Sequence, residues 1–312
     1  WLRRIGIALL VLALALTAAS LAYNAASGGR ERPARALYRG PFVTVDGTLV
    51  AYRTWGHSGT PIVLLGGFVE PSWVWREVGP LLGRGHRVFA LDLPPFGYSE
   101  RRGPYTLARW VSLVRGFGRR LGLRLPVVVG HSLGAAVAVE DALRAPRDVA
   151  GIVLLDGDAL PIGSGARRLS HLVVDPYYTS LYRIVTGSDW IFRRVLRAAR
   201  VRGAPGPSAA ELAEWKRPFR VDGTPGAFRA LLAHGIEGVS LGDLRRVRVP
   251  RLVAWGADDT VDSVEAGRRS AAALGSAFIP IPKAGHLSML DAPRGVAAAV
   301  ERLARAAARS AH

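Results

Sequence analysis

The chain contains no cysteine. Disulfides, thiolate catalysis and cysteine-held metals are therefore excluded, and the redox compartment is left unread. None of the seven histidines falls in a His-rich metal-ligand spacing, so neither a metal nor a cofactor is implied. Lysine is almost as scarce. Lys216 and Lys283 are the only two among 42 basic residues, which leaves 40 arginines and a net charge of +18. Such a charge raises nucleic acid or an anionic membrane as partners. The arginines are spread along the whole chain, with no zinc-finger spacing and no basic region joined to heptads, which argues against nucleic acid. Weak attraction to acidic lipid headgroups remains open. No internal repeat is present.

Charge is also missing locally. Nothing charged occurs from Ile5 through Gly29, and an apolar run of about 18 to 20 residues is long enough to span a bilayer as a helix. A cleaved signal peptide, with Ser20-Leu21-Ala22 as the small-residue cleavage site, is the alternative. The length of the run favours an uncleaved anchor over residues 1–26. Arg3 and Arg4 would keep the short N-terminus in the cytoplasm and place the rest outside, while Arg30, Arg32 and Arg35 count against that orientation. Secretion after cleavage is the alternative location.

Hydrophobic residues make up 49% of 312, ample for a substantial core. After a Gly/Arg/Pro-rich linker (27–41), FVTVDGTLVAYRTW (42–55) reads as a hairpin about Asp46-Gly47. Short apolar runs at PIVLLGG (61–67), RVFALDL (87–93), PVVVG (126–130) and AGIVLLD (150–156) have the character of buried parallel strands. Helical stretches separate them at Ser72–Leu82, Thr106–Leu121 and after residue 132. The rhythm stops over about 160–245, which reads as a helical insertion. It resumes with PRLVAWG (250–256), a helix to Leu274, AFIPI (277–281) and a final helix from Pro293. The expected fold class is α/β: a mostly parallel central sheet with helices on both faces, a helical lid, and an N-terminal transmembrane helix. Residues 42–312 form one domain in this reading.

Gly130-His131-Ser132-Leu133-Gly134 lies where a strand meets a helix, which is the nucleophile-elbow pattern. Serine is equally a good helix cap, so the pentapeptide alone does not decide. A serine nucleophile needs a base, and the base needs an orienting acid. In an open α/β sheet both should follow the carboxyl ends of strands. His57 and His86 precede strands, His171 and His234 lie in the insertion, His312 is in the tail, and His131 should point away from the elbow. His286 alone follows a late strand, with Gly285 permitting a tight turn. For the acid, Asp258 and Asp259 end one strand and Asp156 another, with Asp158 a weaker position.

LLGGF, DLPPFGYS, GHSLG, WGADD and AGHLSMLDAP occur in that order, and over about residues 42–308 the chain resembles the α/β-hydrolase-fold superfamily, particularly its lidded serine esterase and lipase members. The resemblance implies Ser132 as nucleophile, His286 as base and Asp259 as acid, three residues after Gly256. It also implies an oxyanion hole made by the backbone N–H groups of Phe68 and Leu133. Two positions depart from the family pattern: Gly66-Gly67 stands where His-Gly is common, and Pro95 where Gly is common. Both bear on loop shape. The implied activity is cofactor-free hydrolysis of a small-molecule carboxylic ester through an acyl-enzyme. An apolar acyl group is expected from the aromatics of the insertion together with Phe68, Trp73 and Trp75, which could equally be core. Met289 and Leu290 read as packing residues. An acyltransferase using the same triad, or a non-catalytic binding protein on the same fold, are the alternatives.

Overall fold

A computed structural model describes residues 1–161 and 174–310. His171, His312 and residues 162–173 of the expected lid lie outside the described residues. Eight strands form one sheet: β1 Phe42–Val45, β2 Thr48–Trp55, β3 Pro61–Leu65, β4 Arg87–Leu91, β5 Val127–His131, β6 Gly151–Leu155, β7 Arg251–Gly256 and β8 Ala277–Ile281. Their spatial order is β1-β2-β4-β3-β5-β6-β7-β8. From β4 to β8 every neighbouring pair is parallel, while β2 is antiparallel to both β1 and β4. The β1–β2 turn has Asp46 at φ 46° and Gly47 at φ 75°. Both values suit the primed turns that match strand twist, as the Asp-Gly pair foretells.

Alternation along the strands divides the core in two. Val63, Leu65, Val128, Ile152 and Leu154 face the helices Leu107–Arg120 and Leu133–Arg144. Ile62, Leu64, Val127, Val129 and Val153 face the helix Pro293–Ser310, through Val296, Val300 and Leu303. Central strands β5 and β6 are buried at every residue because helices cover both faces, whereas the edge strands β1 and β8 are only partly covered.

The expected helix Ser72–Leu82 is interrupted. A 3₁₀ turn at Ser72–Trp75 precedes a separate helix Val78–Leu82. Pro80 has no N–H to give to the Arg76 carbonyl and its ring crowds that group, so one continuous helix cannot pass through it.

Between β6 and β7 the described chain is helical, with Tyr177–Gly187, Asp189–Ala199, Ala209–Lys216, Thr224–His234 and Leu241–Arg246. The last of these packs on the helix Val264–Leu274 of the main body rather than on the cap. The N-terminal helix Leu2–Gly28 is long and apolar enough to cross a membrane and is hardly buried by the rest of the protein. It does not stand alone. Thr17 Oγ1 and Tyr177 Oη lie 2.6 Å apart, as do the hydroxyls of Ser20 and Ser180. The segment read as a linker is likewise anchored: the Arg32 N–H donates to Arg220 O (2.8 Å), and Tyr38 stacks on Tyr98 at 4.9 Å.

Candidate active site

Ser132 occupies the corner between β5 and the helix Leu133–Arg144, with φ 49° and ψ −119°. Its N–H donates to Leu155 O (3.0 Å). The hydroxyl does not cap the helix, and among the described residues it has no hydrogen-bond partner. Cap duty, the ordinary reason for a serine here, is therefore absent, and a non-glycine residue is held in the left-handed region, where strain collects at functional sites. The flanking glycines are a steric requirement. A Cβ on Gly130 would fall 2.1 Å from Gly134 O, and one on Gly134 would fall 2.8 Å from both Leu65 O and Gly66 O. Gly67, the second residue of the Gly66-Gly67 pair that stands where His-Gly is common, has no room for a side chain: a Cβ there would lie 2.9 Å from that of Ser132. Two backbone donors beside the corner, the N–H groups of Leu133 and Phe68, have no acceptor among the described residues. Val69, next to Phe68, is itself a β-branched residue at φ 60°, an uncommon conformation that marks a tightly constrained loop.

His286 and Asp259 come together from the ends of β8 and β7. His286 Nδ1 donates to Asp259 Oδ2 at 2.9 Å, and both side chains are buried. Asp259 Oδ1 accepts from the N–H groups of Val261 (2.8 Å) and Asp262 (3.0 Å), which fixes the carboxylate. Asp258 is exposed, so the geometry separates the two acids. Asp156 does not join this pair; it accepts from Gly256 N–H (2.6 Å) and from the Ser288 hydroxyl. Asp158 turns to the Leu160 N–H (2.9 Å). His86 and His234 pair with Glu301 and Glu237. Gly285 is glycine for a reason other than a tight turn. A Cβ there would come within 2.7 Å of the Arg200 backbone, where the cap crosses the histidine loop. Asp291 fastens that crossing, accepting from Gly285 N–H (3.0 Å), Val201 N–H (2.8 Å) and the Arg200 guanidinium. Met289 is fully buried packing.

A buried polar network lies directly behind these residues and has no counterpart in the motif. His131 points into the protein. Its Nδ1 lies 2.9 Å from Glu70 Oε2, its Nε2 2.7 Å from the His286 carbonyl oxygen and 3.7 Å from Asp156. A carbonyl can only accept, so Nε2 carries a proton. Glu70 Oε2 already accepts from Gly67 N–H (2.6 Å). A second acceptor at Nδ1 favours the doubly protonated ring. Burial opposes that charge, but the neighbouring Glu70 carboxylate outweighs it and raises His131 to about 9. Burial also raises Asp156, to about 7, against the opposing pull of His131. Glu70 is shifted the other way: burial works against its carboxylate, and the charge and hydrogen bond of His131 bring it below the usual range. One ring thus ties the loop carrying Phe68 to the loop carrying His286. The rings of His131 and His286 are 4.9 Å apart, which puts His286 against the residue preceding Ser132. The only sequence signal for the network is a histidine inside the elbow and an acid shortly after LLGGF.

A cavity of about 180 Å³ opens at Ser132, lined by Leu133, Ala136 and Ile236 with the carboxylates Asp158, Glu237 and Asp262. None of the aromatics expected around an acyl group lines this cavity among the described residues. Phe68 packs on Phe228 (6.1 Å), Phe228 on Phe219 (5.6 Å) and Phe219 on Phe192 (5.6 Å), so they join the cap to the main body. Trp75 is fully buried, and Trp190 is 70% exposed.

A mostly parallel sheet with a serine elbow and a histidine–aspartate pair at its carboxyl edge defines a class, and the comparisons agree. Residues 62–299 match the model of the alpha/beta hydrolase family, and the chain belongs to that family. The uncharacterized hydrolase YugF of Bacillus subtilis (strain 168) is 27% identical over 259 residues, covering 80% of this chain and 92% of that protein. The dihydrolipoyllysine-residue acetyltransferase component of the acetoin cleaving system of Cupriavidus necator is 28% identical over 267 residues, 84% of this chain and 67% of that protein. Among solved structures, a membrane phospholipase A described as a bacterial virulence factor superposes with a TM-score of 0.70 at 22% identity, covering 98% of both chains. A thermophilic esterase from Thermogutta terrifontis gives 0.68 at 23% identity, over 86% of this chain and 99% of that one. At those identities the structural likenesses speak for the fold.

Proposed function

We propose that this hydrolase cleaves carboxylic esters by a serine acyl-enzyme mechanism, with Ser132, His286 and Asp259 as triad. The observation that carries the reading is Ser132 itself: a strained serine at a helix N-terminus whose hydroxyl has no hydrogen-bond partner among the described residues. His286 takes the Ser132 proton as Oγ attacks the ester carbonyl. Asp259, already bonded to Nδ1, sets the tautomer that leaves Nε2 free to accept and stabilises the imidazolium. The negative charge on the former carbonyl oxygen falls to the unused N–H groups of Leu133 and Phe68 and to the positive end of the helix Leu133–Arg144. Loss of one such donor costs roughly 100- to 1,000-fold in rate. Collapse expels the alcohol with the proton from His286; water, deprotonated by the same ring, then releases the acid and restores Ser132.

In this reading residues 1–26 anchor the enzyme and the catalytic domain lies outside the cytoplasm. Proximity to a bilayer and the likeness in fold to a membrane phospholipase A support a lipid-like ester with an apolar acyl group. The likeness to an acetyltransferase component supports transfer to an alcohol as a second reading. The test is a panel of p-nitrophenyl esters of increasing acyl length with the full chain in detergent, with and without an added alcohol. Ester turnover that vanishes in Ser132→Ala is expected; equal turnover by both proteins overturns the mechanism. Formation of the new ester in preference to free acid would replace hydrolysis by transfer.

A further inference from the structure

A second and larger cavity, of about 670 Å³, opens where the N-terminal helix meets the cap, and shares no lining residue with the one at Ser132. Five cations line it, Arg30, Arg183, Lys216, Arg217 and Arg220, against a single carboxylate, Glu31. Three have acidic partners: Arg183 pairs with Glu31 (2.6 Å), Arg217 with Glu214 (2.8 Å), and Lys216 with Asp189. Arg30 and Arg220 are exposed and have no ion pair among the described residues; Arg220 Nε donates to Arg30 O (3.1 Å), which leaves the Arg220 Nη groups and the Arg30 guanidinium without a partner there. Two guanidiniums without a counter-ion border one void, and most of their N–H groups have no acceptor among the described residues. Guanidinium pairs two N–H groups with two phosphate oxygens, so the arrangement fits a phosphate better than a lone carboxylate or a neutral group.

The position selects the source of that phosphate. The uncharged stretch from Ile5 to Gly29 is about 37 Å long as a helix, against a hydrocarbon thickness of about 30 Å. With its start at the membrane edge, Tyr23, Ser27 and Arg30 emerge at headgroup depth, and these three line the cavity. The Arg183 bond to Asn24 O (2.6 Å) holds the cap at the same level, and the contacts of Thr17 and Ser20 dip the start of the helix Tyr177–Gly187 into the apolar layer. That helix and its neighbour leave Leu181, Ile184 and Trp190 more than half exposed, apolar and aromatic surface of the kind that meets lipid at an interface.

We propose that this cavity is a binding site for the phosphate of an anionic phospholipid headgroup, held as a bound lipid where the anchor joins the cap. The proposal rests on reading Leu2–Gly28 as a membrane anchor. The full chain carrying Ser132→Ala, so that no lipid is consumed, is reconstituted in phosphatidylcholine vesicles containing a minority of phosphatidylglycerol. Carbonate extraction tests the anchor: release from the vesicles defeats that reading. For protein that stays, transfer into mild detergent and native mass spectrometry count the retained lipids. Phosphatidylglycerol is expected to be enriched over its share of the vesicle. Arg30→Gln/Arg220→Gln is expected to lower that enrichment roughly tenfold or more, with the unfolding midpoint in pure phosphatidylcholine unchanged. Retention in the vesicles without enrichment, or enrichment that survives the double substitution, overturns the site and leaves the anchor standing. Displacement of the lipid by an equal concentration of inorganic phosphate assigns the cavity to free phosphate and overturns the lipid.

Discussion

Glu70→Gln removes one charge from behind the candidate active site and changes almost no volume. At 2.9 Å the attraction between Glu70 and protonated His131 is about 6 kcal/mol at an effective dielectric of 20, before desolvation is subtracted. The displacement of His131 from its ordinary 6.5 to about 9 corresponds to about 3 kcal/mol of linked stability, which is the net figure. A glutamine cannot replace the carboxylate. Its oxygen, placed to accept from Gly67 N–H, leaves a buried imidazolium uncompensated; its nitrogen, placed to donate to neutral His131, abandons Gly67. Loss of one partner of a buried pair costs about 3–5 kcal/mol. The sign with pH follows from a raised histidine: its contribution is complete below 6.5 and disappears as pH rises through about 9. Asp156, raised to about 7, loses its contribution over the lower interval from its ordinary 3.8. Denaturant unfolding of parent and Glu70→Gln at a series of pH values separates the two. The parent should lose stability between pH 6.5 and 9, and the variant should be weaker at neutral pH and flat across that interval. A cost below about 1 kcal/mol, or an unchanged slope in that interval, refutes the charged-pair assignment.

Three further outcomes follow from the site geometry. Ser132→Gly should be more stable than Ser132→Ala by about 0.5–1 kcal/mol, because glycine accepts φ 49° and alanine does not; both should lack ester turnover, and equal unfolding midpoints would deny the strain. Asp259→Asn should lower kcat roughly 10⁴-fold through the wrong histidine tautomer, while Asp258→Asn should leave it within a factor of about two, as befits a change at an exposed side chain; comparable losses in steady-state assays of the two would reject the assignment of the acid. Gly285→Ala should reduce ester turnover more than tenfold by pushing the histidine loop off the cap, since misplacement by about 1 Å can cost 100-fold; full activity would mean the crossing at Arg200 yields freely.

Much of the fold is legible because parallel strands covered on both faces need unbroken apolar runs, and the runs at 62–65, 127–129 and 151–155 supply them. Asp46-Gly47 predicts its turn for a local reason. The candidate site is legible in part because Ser132, Asp259 and His286 each follow soon after the carboxyl end of a strand, so topology brings their loops to one edge. The acid behind Ser132 is different. Glu70 and His131 meet only because β3 and β5 are neighbours, and no spacing in the chain announces a pair 61 residues apart. Gly285 is silent in another way: its constraint comes from Arg200, which belongs to a helix whose docking no periodicity specifies. The aromatics of the insertion show the limit of composition. Their number predicts an apolar surface and says nothing of whether it faces a ligand or, as for Phe219 and Phe228, one another.

The Arg200–Asp291 junction has a mechanical consequence. The cap and the histidine turn are riveted at that corner, so a cap that lifted there would carry His286, the proposed base, away from Ser132. An opening of the cap that kept the proposed triad intact would pivot about this corner, while Leu160 and Ile236, which line the cavity at Ser132, are free of that rivet.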